Sequence, residues 1–267
     1  MISSARFFYA AVLIGLGVIG LIYGDFALVW QRIPIAYLPG RTIIAYACAT
    51  LELVLGLGLL FDNTIRISSG LLFVYFLLWV VLLKLPAVIV KPSMEATWLG
   101  FGEIAVMLAG IWILFIRYAE VWERSHLIWI VGPNSMRNAI MLFTFCLPMI
   151  GLAHFFYVQQ TADMVPKWLP LPVYWAYLTG AGSIATALAL LFGVWPRLAS
   201  TMLAAMMWII TLLVWGLGVI AAPLDRVQWT GFFISSAYTA GCWAIATTYS
   251  DLCWLAIQPR TLARPSF

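Results

Sequence analysis

Two acidic side chains stand inside long apolar segments of this 267-residue chain, and they are the residues best suited to chemistry. Glu52 lies ten residues from both Thr42 and Asp62, at the middle of one segment. Glu103 lies five residues after Trp98, near the start of another. A charged carboxylate at the bilayer centre costs about 2.5 to 3.5 kcal/mol, so each acid must face the protein interior, be protonated or pair with a donor. Such buried acids can accept protons or hydrogen bonds.

Four more polar residues end apolar segments on the side of the membrane where Glu103 begins its own. Lys84 and His154 end two of these segments, and Tyr23 and Asp25 end the first. Simpler roles stay open, namely a neutral acid bonded to a neighbouring helix, a lysine that extends to the interface and a histidine that anchors a helix end. The predicted binding set, in the half of the bundle away from the termini, is Glu52, Glu103, Lys84, His154, Tyr23 and Asp25.

The placement of cysteine and histidine argues against dithiol and metal chemistry. The four cysteines form no C-x-x-C pair, so disulfide exchange of the vitamin-K-reductase kind lacks its dithiol. His126 and His154 lie in unlike regions, and no clustered spacing suits haem, copper or zinc. We therefore expect packing roles for Cys48, Cys146, Cys242 and Cys253, and no metal.

The composition indicates whether the chain folds in water or in a lipid bilayer. Hydrophobic residues make up 64%, charged residues make up 9%, and the mean hydropathy is +1.02. A soluble core of this size cannot cover so much apolar surface, so the chain is expected to be an integral membrane protein. The net charge of +4 is spread over short loops, which indicates membrane anchoring and argues against nucleic acid as a partner. The expected partners are the lipid bilayer and other membrane or redox proteins.

The chain repeats itself in tandem. The stretch 20–66 returns as 151–197, and AYACATLELVLGLGLLF from Ala45 aligns without a gap on AYLTGAGSIATALALLF from Ala176. One constant shift along the chain relates both pairs of stretches, and it is called the repeat offset below. A repeat that fills half of the protein predicts a tandem duplication. We therefore expect two units, 1–126 and 127–267, joined through a polar linker.

Each unit holds four apolar segments of a length that suits a helix across the bilayer. The fold class is therefore all-α, a multi-pass membrane protein of eight helices in two four-helix repeats. Four spans is an even number, so the repeats should be parallel, with an axis along the membrane normal. No span is visibly broken at matched places in both units. The predicted spans are 7–23, 42–61, 67–85 and 98–115, then 138–156, 174–192, 198–221 and 229–247.

The orientation follows from lysine and arginine in the loops. Eight of these residues fall on the side that bears both termini, and six fall on the other side. Because the positive-inside rule counts such residues in short loops, both termini are predicted to be cytoplasmic. A chain with almost no soluble region suits a bacterial inner (plasma) membrane.

The two units differ where the acids stand. At the positions of Glu52, Glu103 and Lys84, the second unit has Ser183, Ile234 and Trp215. Intramembrane ionisable residues mark functional sites. The predicted site therefore belongs to the first unit.

The unit of four spans resembles the DoxX-like membrane proteins. A loop with proline and tryptophan follows the first span (VWQRIPIAYLPG from Val29, MVPKWLPLPVYW from Met164), and LELVLGLGLLF carries an internal acid with an arginine soon after it. The resemblance covers nearly the whole chain as two fused units. It implies a four-helix membrane bundle and an association with quinone-linked redox enzymes or redox stress. The acid of the family pattern maps to Glu52, and Ser183 departs from it.

Three functions stay open from the sequence. In the first, an accessory or redox-associated subunit binds a quinone or another lipophilic molecule between its helices, with Glu52 and Glu103 beside the polar atoms of the ligand. In the second, a small-solute or proton-coupled transporter uses the same acids. In the third, the chain is a ligand-free structural or assembly subunit. Whether it is an enzyme stays open as well.

Overall fold

The fold is described from a computed structural model, in which residues 2–27, 31 and 39–257 are defined. Within these residues the regular structure is helical, apart from an isolated β-bridge between Val194 and Ile257. Parts of the expected interfacial loop and of the C-terminal tail lie outside the described residues: Trp30, Arg32, Pro34, Arg260, Arg264 and Pro265.

Eleven helices make up the described part of the chain, and eight of them are long. Seven of the long helices are apolar enough to cross a membrane, which confirms an all-α multi-pass membrane fold. The remaining long helix, the last one, is more polar. In chain order the helices are α1 (Ile2–Tyr23), α2 (Arg41–Gly58), α3 (Ile65–Val90), α4 (Glu95–Tyr118), α5 (Val121–His126), α6 (Ile128–Val131), α7 (Ser135–Phe156), α8 (Val158–Asp163), α9 (Pro172–Phe192), α10 (Pro196–Ala221) and α11 (Arg226–Thr247).

Local sequence sets several helix ends. Pro172 and Pro196 stand in the first turns of α9 and α10, where a missing N–H costs nothing. Gly193 ends α9 with φ +68, a left-handed conformation that glycine adopts without strain. Asp225 caps α11, because its side chain accepts a hydrogen bond of 2.8 Å from the Val227 N–H. These signals explain why the helices run beyond the apolar segments themselves.

Helix bounds in the two halves of the chain fall at matched positions. Three helix starts and one change of winding in the first half have a counterpart in the second half at the repeat offset. The shift that relates the two sequences therefore relates these points as well. The pairs are Arg41 with Pro172, Ile65 with Pro196, Val80 with Thr211 and Glu95 with Arg226.

One of these pairs marks a change of winding that the sequence did not indicate. Both α3 and α10 pass from α-helical to π-helical winding, at Val80–Lys84 and at Thr211–Gly216. Pro86 follows the first π-wound turn, whereas Leu217 stands at the matched place in α10, so proline is not what the two turns share. Hydropathy cannot reveal such a turn, since it changes the hydrogen bonding and not the composition. Both α3 and α10 are thus continuous helices, and each contains a π-wound turn at the matched place.

The long helices form a ring with a central pair. Around the ring, α1 contacts α2, α2 contacts α3, α3 contacts α4, and α4 contacts α7; then α7 contacts α9, α9 contacts α10, α10 contacts α11, and α11 contacts α1. The pair α4 and α11 also meet each other inside the ring. They cross closely at Gly110 and Gly241, since a methyl group on Gly110 would stand 2.9 Å from the Gly241 Cα. These two glycines also correspond to each other at the repeat offset.

Candidate functional site

Glu52 forms a buried polar cluster with Gln31 and Tyr75. The Glu52 side chain is 2% exposed at the middle of α2. Its Oε1 accepts a hydrogen bond of 2.7 Å from the Tyr75 hydroxyl of α3 and one of 2.5 Å from Gln31 Nε2. Gln31 Nε2 also donates to the Tyr75 oxygen at 2.6 Å. Three polar side chains thus satisfy one another in a setting that is otherwise apolar, as buried polar groups require.

Gln31 reaches this depth because the chain folds back after α1. Gly24 makes the turn with φ +61, a conformation that suits glycine. The Ala27 N–H then donates to Gln31 Oε1 at 2.8 Å, which identifies the oxygen end of the amide. Gln31 is 2% exposed, so the amide is held between the turn and Glu52.

Asp25 fixes the start of that turn through two arginines. Its carboxylate accepts a hydrogen bond of 2.8 Å from Arg41 of α2 and lies 3.6 Å from the Arg226 guanidinium of α11. Burial alone would raise the pKa of Asp25, but the Phe26 N–H at 2.9 Å and the two arginines lower it below its ordinary value. Arg226 also donates to the Phe26 carbonyl at 2.7 Å. Asp25 therefore links both halves of the chain, and it does not contact Glu52.

Tyr23 belongs to the same link. Its hydroxyl donates to the Leu224 carbonyl at 3.4 Å, and the Arg226 guanidinium lies 5.1 Å from the centre of its ring. The side chain is exposed. Tyr23 thus joins the end of α1 to the loop between α10 and α11, and it stays outside the Glu52 cluster.

Lys84 and Glu103 form a second polar group with Glu95. Lys84 is 9% exposed, and it interacts electrostatically with Glu103. Both carboxylate oxygens of Glu95 are buried, without a hydrogen-bond partner among the described residues. Lys84 follows Tyr75 by nine residues in α3, a rise of about 13.5 Å along the helix. The second group therefore lies at a different depth from Glu52.

His154 lies in the other half of the molecule. Its Nδ1 is 3.0 Å from the Thr179 hydroxyl, which joins α7 to α9. Ser183, which stands where the first half has Glu52, donates to the Thr179 carbonyl of its own helix at 3.2 Å. The structure therefore does not bring the six predicted residues into one site. Glu52 lies in the first polar cluster, and Lys84 and Glu103 lie in the second. Tyr23 and Asp25 lie at the end of α1, and His154 lies in the other half of the chain.

Sequence reasoning missed Gln31 and Tyr75, although a signal for both exists. At the repeat offset, Gln31 corresponds to Ala162 and Tyr75 to Met206. The whole hydrogen-bonded cluster is thus polar in the first half and lacks a counterpart in the second, as Glu52 does. A search for positions where one repeat is polar and the other apolar would have found both residues.

An apolar groove of about 250 Å³ opens between α2 and α3, beside the cluster. Tyr75 is the polar member of its lining, and Leu55 lies at 8% exposure behind the rim. The remaining lining residues are exposed on the outer surface of the bundle, so the groove opens sideways. They are Leu51, Val54, Leu71, Val74 and Leu78.

The groove and the cluster together can hold an apolar body that carries a polar head. A cavity of roughly 150 Å³ takes a benzene ring, so this groove has room for a substituted ring. Within the described residues, no group of three His, Cys, Asp or Glu side chains could hold a metal ion. Searches against protein-family models, curated proteins and solved structures find no match to the chain. The functional argument therefore rests on the sequence and on this geometry.

Proposed function

We propose that the chain is a DoxX-like inner-membrane protein that binds a quinone-like or similar lipophilic molecule in the groove between α2 and α3. The observation that carries the proposal is the position of Tyr75, which lines the groove and donates to the buried Glu52. A tail in the bilayer and a ring against Tyr75 would bring the polar atoms of the ligand to the cluster. Most ligand sites combine an apolar lining with a few placed polar groups in this way.

The proposed architecture is two parallel four-helix repeats with α11 as the eighth span. The shared offset of the helix starts and the matched π-wound turns support the duplication. The polar residues of α11 support its assignment as a span, because they face the protein: Ser235 and Thr239 both bond to Thr211 of α10, at 2.7 and 3.1 Å. A helix enclosed by neighbours needs fewer apolar residues than one that faces lipid.

Reporter fusions test this topology and the orientation. A reporter joined after Leu224, which is 91% exposed between α10 and α11, should report the periplasmic side. The same reporter after Ile257 should report the cytoplasm, as should one at the N-terminus. Identical signals from the fusions after Leu224 and Ile257 would remove α11 as a span.

Ligand binding is tested by filling the groove. Val74→Trp places a large side chain in the groove without changing Glu52, Gln31 or Tyr75, so it should abolish binding of an alkyl benzoquinone and of its hydroquinone. The matched control is Ala205→Trp, at the exposed position of α10 that corresponds to Val74 in the repeat. Binding is measured by titration of the protein in lipid nanodiscs. If neither form of the probe binds the wild-type protein, the proposed function is wrong.

A second candidate function, proton-coupled transport of a small solute, is supported by the matched π-wound turns. Such turns often mark functional sites in helices, and parallel repeats can rock against each other around a shared site. Proton-dependent flux of a panel of solutes into proteoliposomes tests it, with Glu52→Gln as the variant expected to stop the flux. Absence of flux across the panel, together with absence of ligand binding, would favour a ligand-free assembly subunit instead.

A further inference from the structure

We propose that α5 and α6, the two short helices between the halves of the chain, bind an anionic phospholipid of the surrounding bilayer. The acyl chains of the lipid lie against an outward apolar face of these helices, and its phosphate lies against arginines beside that face. The inference does not depend on the proposed function, because it uses no residue of the Glu52 cluster or of the groove.

An apolar face of α5 and α6 is turned outward. The exposed fractions of its four residues are 83% for Val121, 60% for Trp122, 55% for Ile128 and 86% for Trp129. The inward side of the segment is apolar as well, since Val131 is 1% exposed. A single exposed apolar residue is ordinary, whereas four on one short segment mark an interaction surface.

Ion pairs and hydrogen bonds hold this face outward. The Arg66 guanidinium of α3 donates to Glu120 at 2.8 Å and lies 3.1 Å from the Glu123 carboxylate. Arg124 donates to the Ile116 carbonyl of α4 at 3.0 Å. The segment therefore cannot turn its outer face inward without breaking charge-assisted hydrogen bonds.

The position of α6 places this face at the depth of lipid. The Trp112 indole N–H donates to the Ile130 carbonyl at 2.6 Å, and Trp112 precedes the end of α4 by six residues, about 9 Å. The centre of the Trp112 ring lies 5.5 Å from that of Phe73, which stands eight residues, about 12 Å, inside α3. Both α3 and α4 are apolar enough to span the membrane. Ile128 and Trp129 are thus exposed beside the ends of spans, where tryptophan meets the lipid interface.

Two arginines near this face supply positive charge. Arg117 and Arg137 are exposed, and neither has a hydrogen-bond or ion-pair partner among the described residues. Gly102 of α4 lies against α7, since a methyl group on it would stand 3.3 Å from the Cys146 carbonyl. Counted from this contact toward the linker, Trp112 lies about 15 Å away and Arg137 about 13.5 Å away. Arg137 is therefore at the depth of α6, and Arg117 is nearer the end of the bundle.

An anionic phospholipid matches both features of this region. Its chains cover the apolar face, and its phosphate accepts hydrogen bonds from guanidinium groups that extend toward the headgroups. Segments with tryptophan on one side and basic residues nearby bind at the bilayer interface in this way. A lipid with a zwitterionic headgroup carries its own cation, which opposes the arginines, and free phosphate has no chains for the apolar face.

Native mass spectrometry of the full-length protein in a neutral detergent tests the inference. Phosphatidylglycerol and phosphatidylcholine with identical chains are titrated separately, and the Kd of the first bound lipid is measured for each. We expect phosphatidylglycerol to bind at least about tenfold more tightly, a factor within what two charges near a bilayer surface supply. Detergent micelles have no leaflets, so the result does not depend on which side of the membrane the linker faces.

Charge variants assign the preference to the two arginines. Arg117→Gln combined with Arg137→Gln should reduce the ratio of the two Kd values to below about threefold, because both free guanidinium groups are removed. The matched control is Lys91→Gln combined with Lys167→Gln, which removes the same charge at exposed positions of the other end of the bundle. This control should leave the ratio unchanged.

A tryptophan variant tests the apolar face. Trp129→Gln should weaken the binding of both lipids by about threefold or more, since it removes apolar contact and leaves the arginines in place. Trp168→Gln is the matched control at a tryptophan that is 65% exposed elsewhere, and it should change neither Kd. Each variant is checked for monodisperse elution, and the comparison of the two lipids on the wild-type protein needs no variant.

Several outcomes would overturn the inference. Equal binding of the two lipids to the wild-type protein is one, and a preference that survives the loss of both arginines, or that the lysine control also loses, is another. Glycerol phosphate in excess should not displace phosphatidylglycerol, and displacement would assign the arginines to a free phosphate instead. A wild-type dimer that Trp129→Gln converts to a monomer would assign the apolar face to a second copy of the chain.

Discussion

At the scale of single residues, two equally buried tyrosines differ in their hydrogen bonding. The side chains of Tyr75 and Tyr238 are each 8% exposed. The Tyr75 hydroxyl donates to Glu52, whereas the Tyr238 hydroxyl has no hydrogen-bond partner among the described residues. Tyr75→Phe should therefore destabilise the protein by about 1 to 3 kcal/mol, because it leaves a buried carboxylate with one donor fewer. Tyr238→Phe should be neutral or stabilising, since it removes an unsatisfied group.

Thermal unfolding in detergent micelles measures both variants under one set of conditions. The prediction depends on the difference between them, because loss of a hydroxyl from a buried ring is common to both. A Tyr238→Phe variant that is destabilised as much as Tyr75→Phe would show that the Glu52 cluster contributes nothing beyond ordinary packing.

Asp25 gives a pH dependence whose sign is fixed by its surroundings. Its pKa is lower in the folded protein than in the unfolded chain, so the ion pairs stabilise at pH above about 4 and their contribution is lost as the pH falls through the folded value. Because the Asp25 side chain is 36% exposed, solvent limits the effect of Asp25→Asn to roughly 1 kcal/mol at neutral pH. The gap between wild type and variant in the unfolding midpoint should be constant above about pH 5 and should narrow as the pH falls below about 4, the ordinary carboxyl pKa. Asp163→Asn, at an exposed residue, is the control and should show no such closure.

Residue types could be predicted from the sequence better than their partners. The cost of a carboxylate in lipid makes Glu52 stand out in any apolar segment, and its burial agrees with that expectation. Gln31 could not be assigned to it, because only the fold-back after α1 brings residue 31 to the middle of α2. Asp25 is equally polar in the sequence, yet Arg226, which belongs to the last helix of the chain, holds it at the end of the bundle.

At the scale of elements, the crossing of α4 and α11 depends on glycine. A methyl group on Gly110 would overlap the Tyr9 hydroxyl and stand 2.9 Å from the Gly241 Cα, so neither the ring nor the backbone can make room cheaply. Gly110→Ala should cost about 1 to 3 kcal/mol or more through overpacking. Gly100→Ala, on the same helix, would meet only Lys84 Nζ at 3.6 Å, and the gain in helix propensity should leave it neutral or slightly more stable.

Unfolding midpoints and the yield of monodisperse protein distinguish the two alanine variants. If Gly110→Ala is as stable as Gly100→Ala, α4 and α11 do not cross as closely as the structure shows. The pair isolates the crossing, because both substitutions add one methyl group to α4.

Elements could be predicted in part from the pattern of apolar residues. Seven long helices have the length and composition that the spans require, and their bounds extend the predicted ones by a turn at several ends. For α11, the proposed eighth span, the sequence repeat is a better guide than hydropathy, because polar residues of this helix face α10. The π-wound turns could not be predicted, since they depend on hydrogen bonds within α3 and α10 and leave no compositional trace.

At the scale of the whole molecule, the two halves interlock. The first long helix of each half contacts the last long helix of the other, as α1 does with α11 and α7 with α4, and the two last long helices also meet each other. Asp25 and Arg226 add an ion pair between the halves. The boundary between the two units was predicted at residue 126, whereas contacts between helices cross it. Long-range packing of this kind is not visible in an alignment of one half on the other.

Interlocking predicts that the halves depend on each other. Residues 1–126 and 127–267, expressed from separate genes in one cell, should assemble and purify together through a tag on either half. Expressed alone, each half would present to lipid the small-residue faces, around Gly110 or Gly241, that pack closely in the intact chain, and it should be recovered in low yield. Gly110→Ala in the first half should weaken the recovery of its partner, whereas Gly100→Ala should not. Two halves that are each monodisperse and thermally stable alone, and that do not purify together, would show that they are independent bundles and contradict the interlocked arrangement.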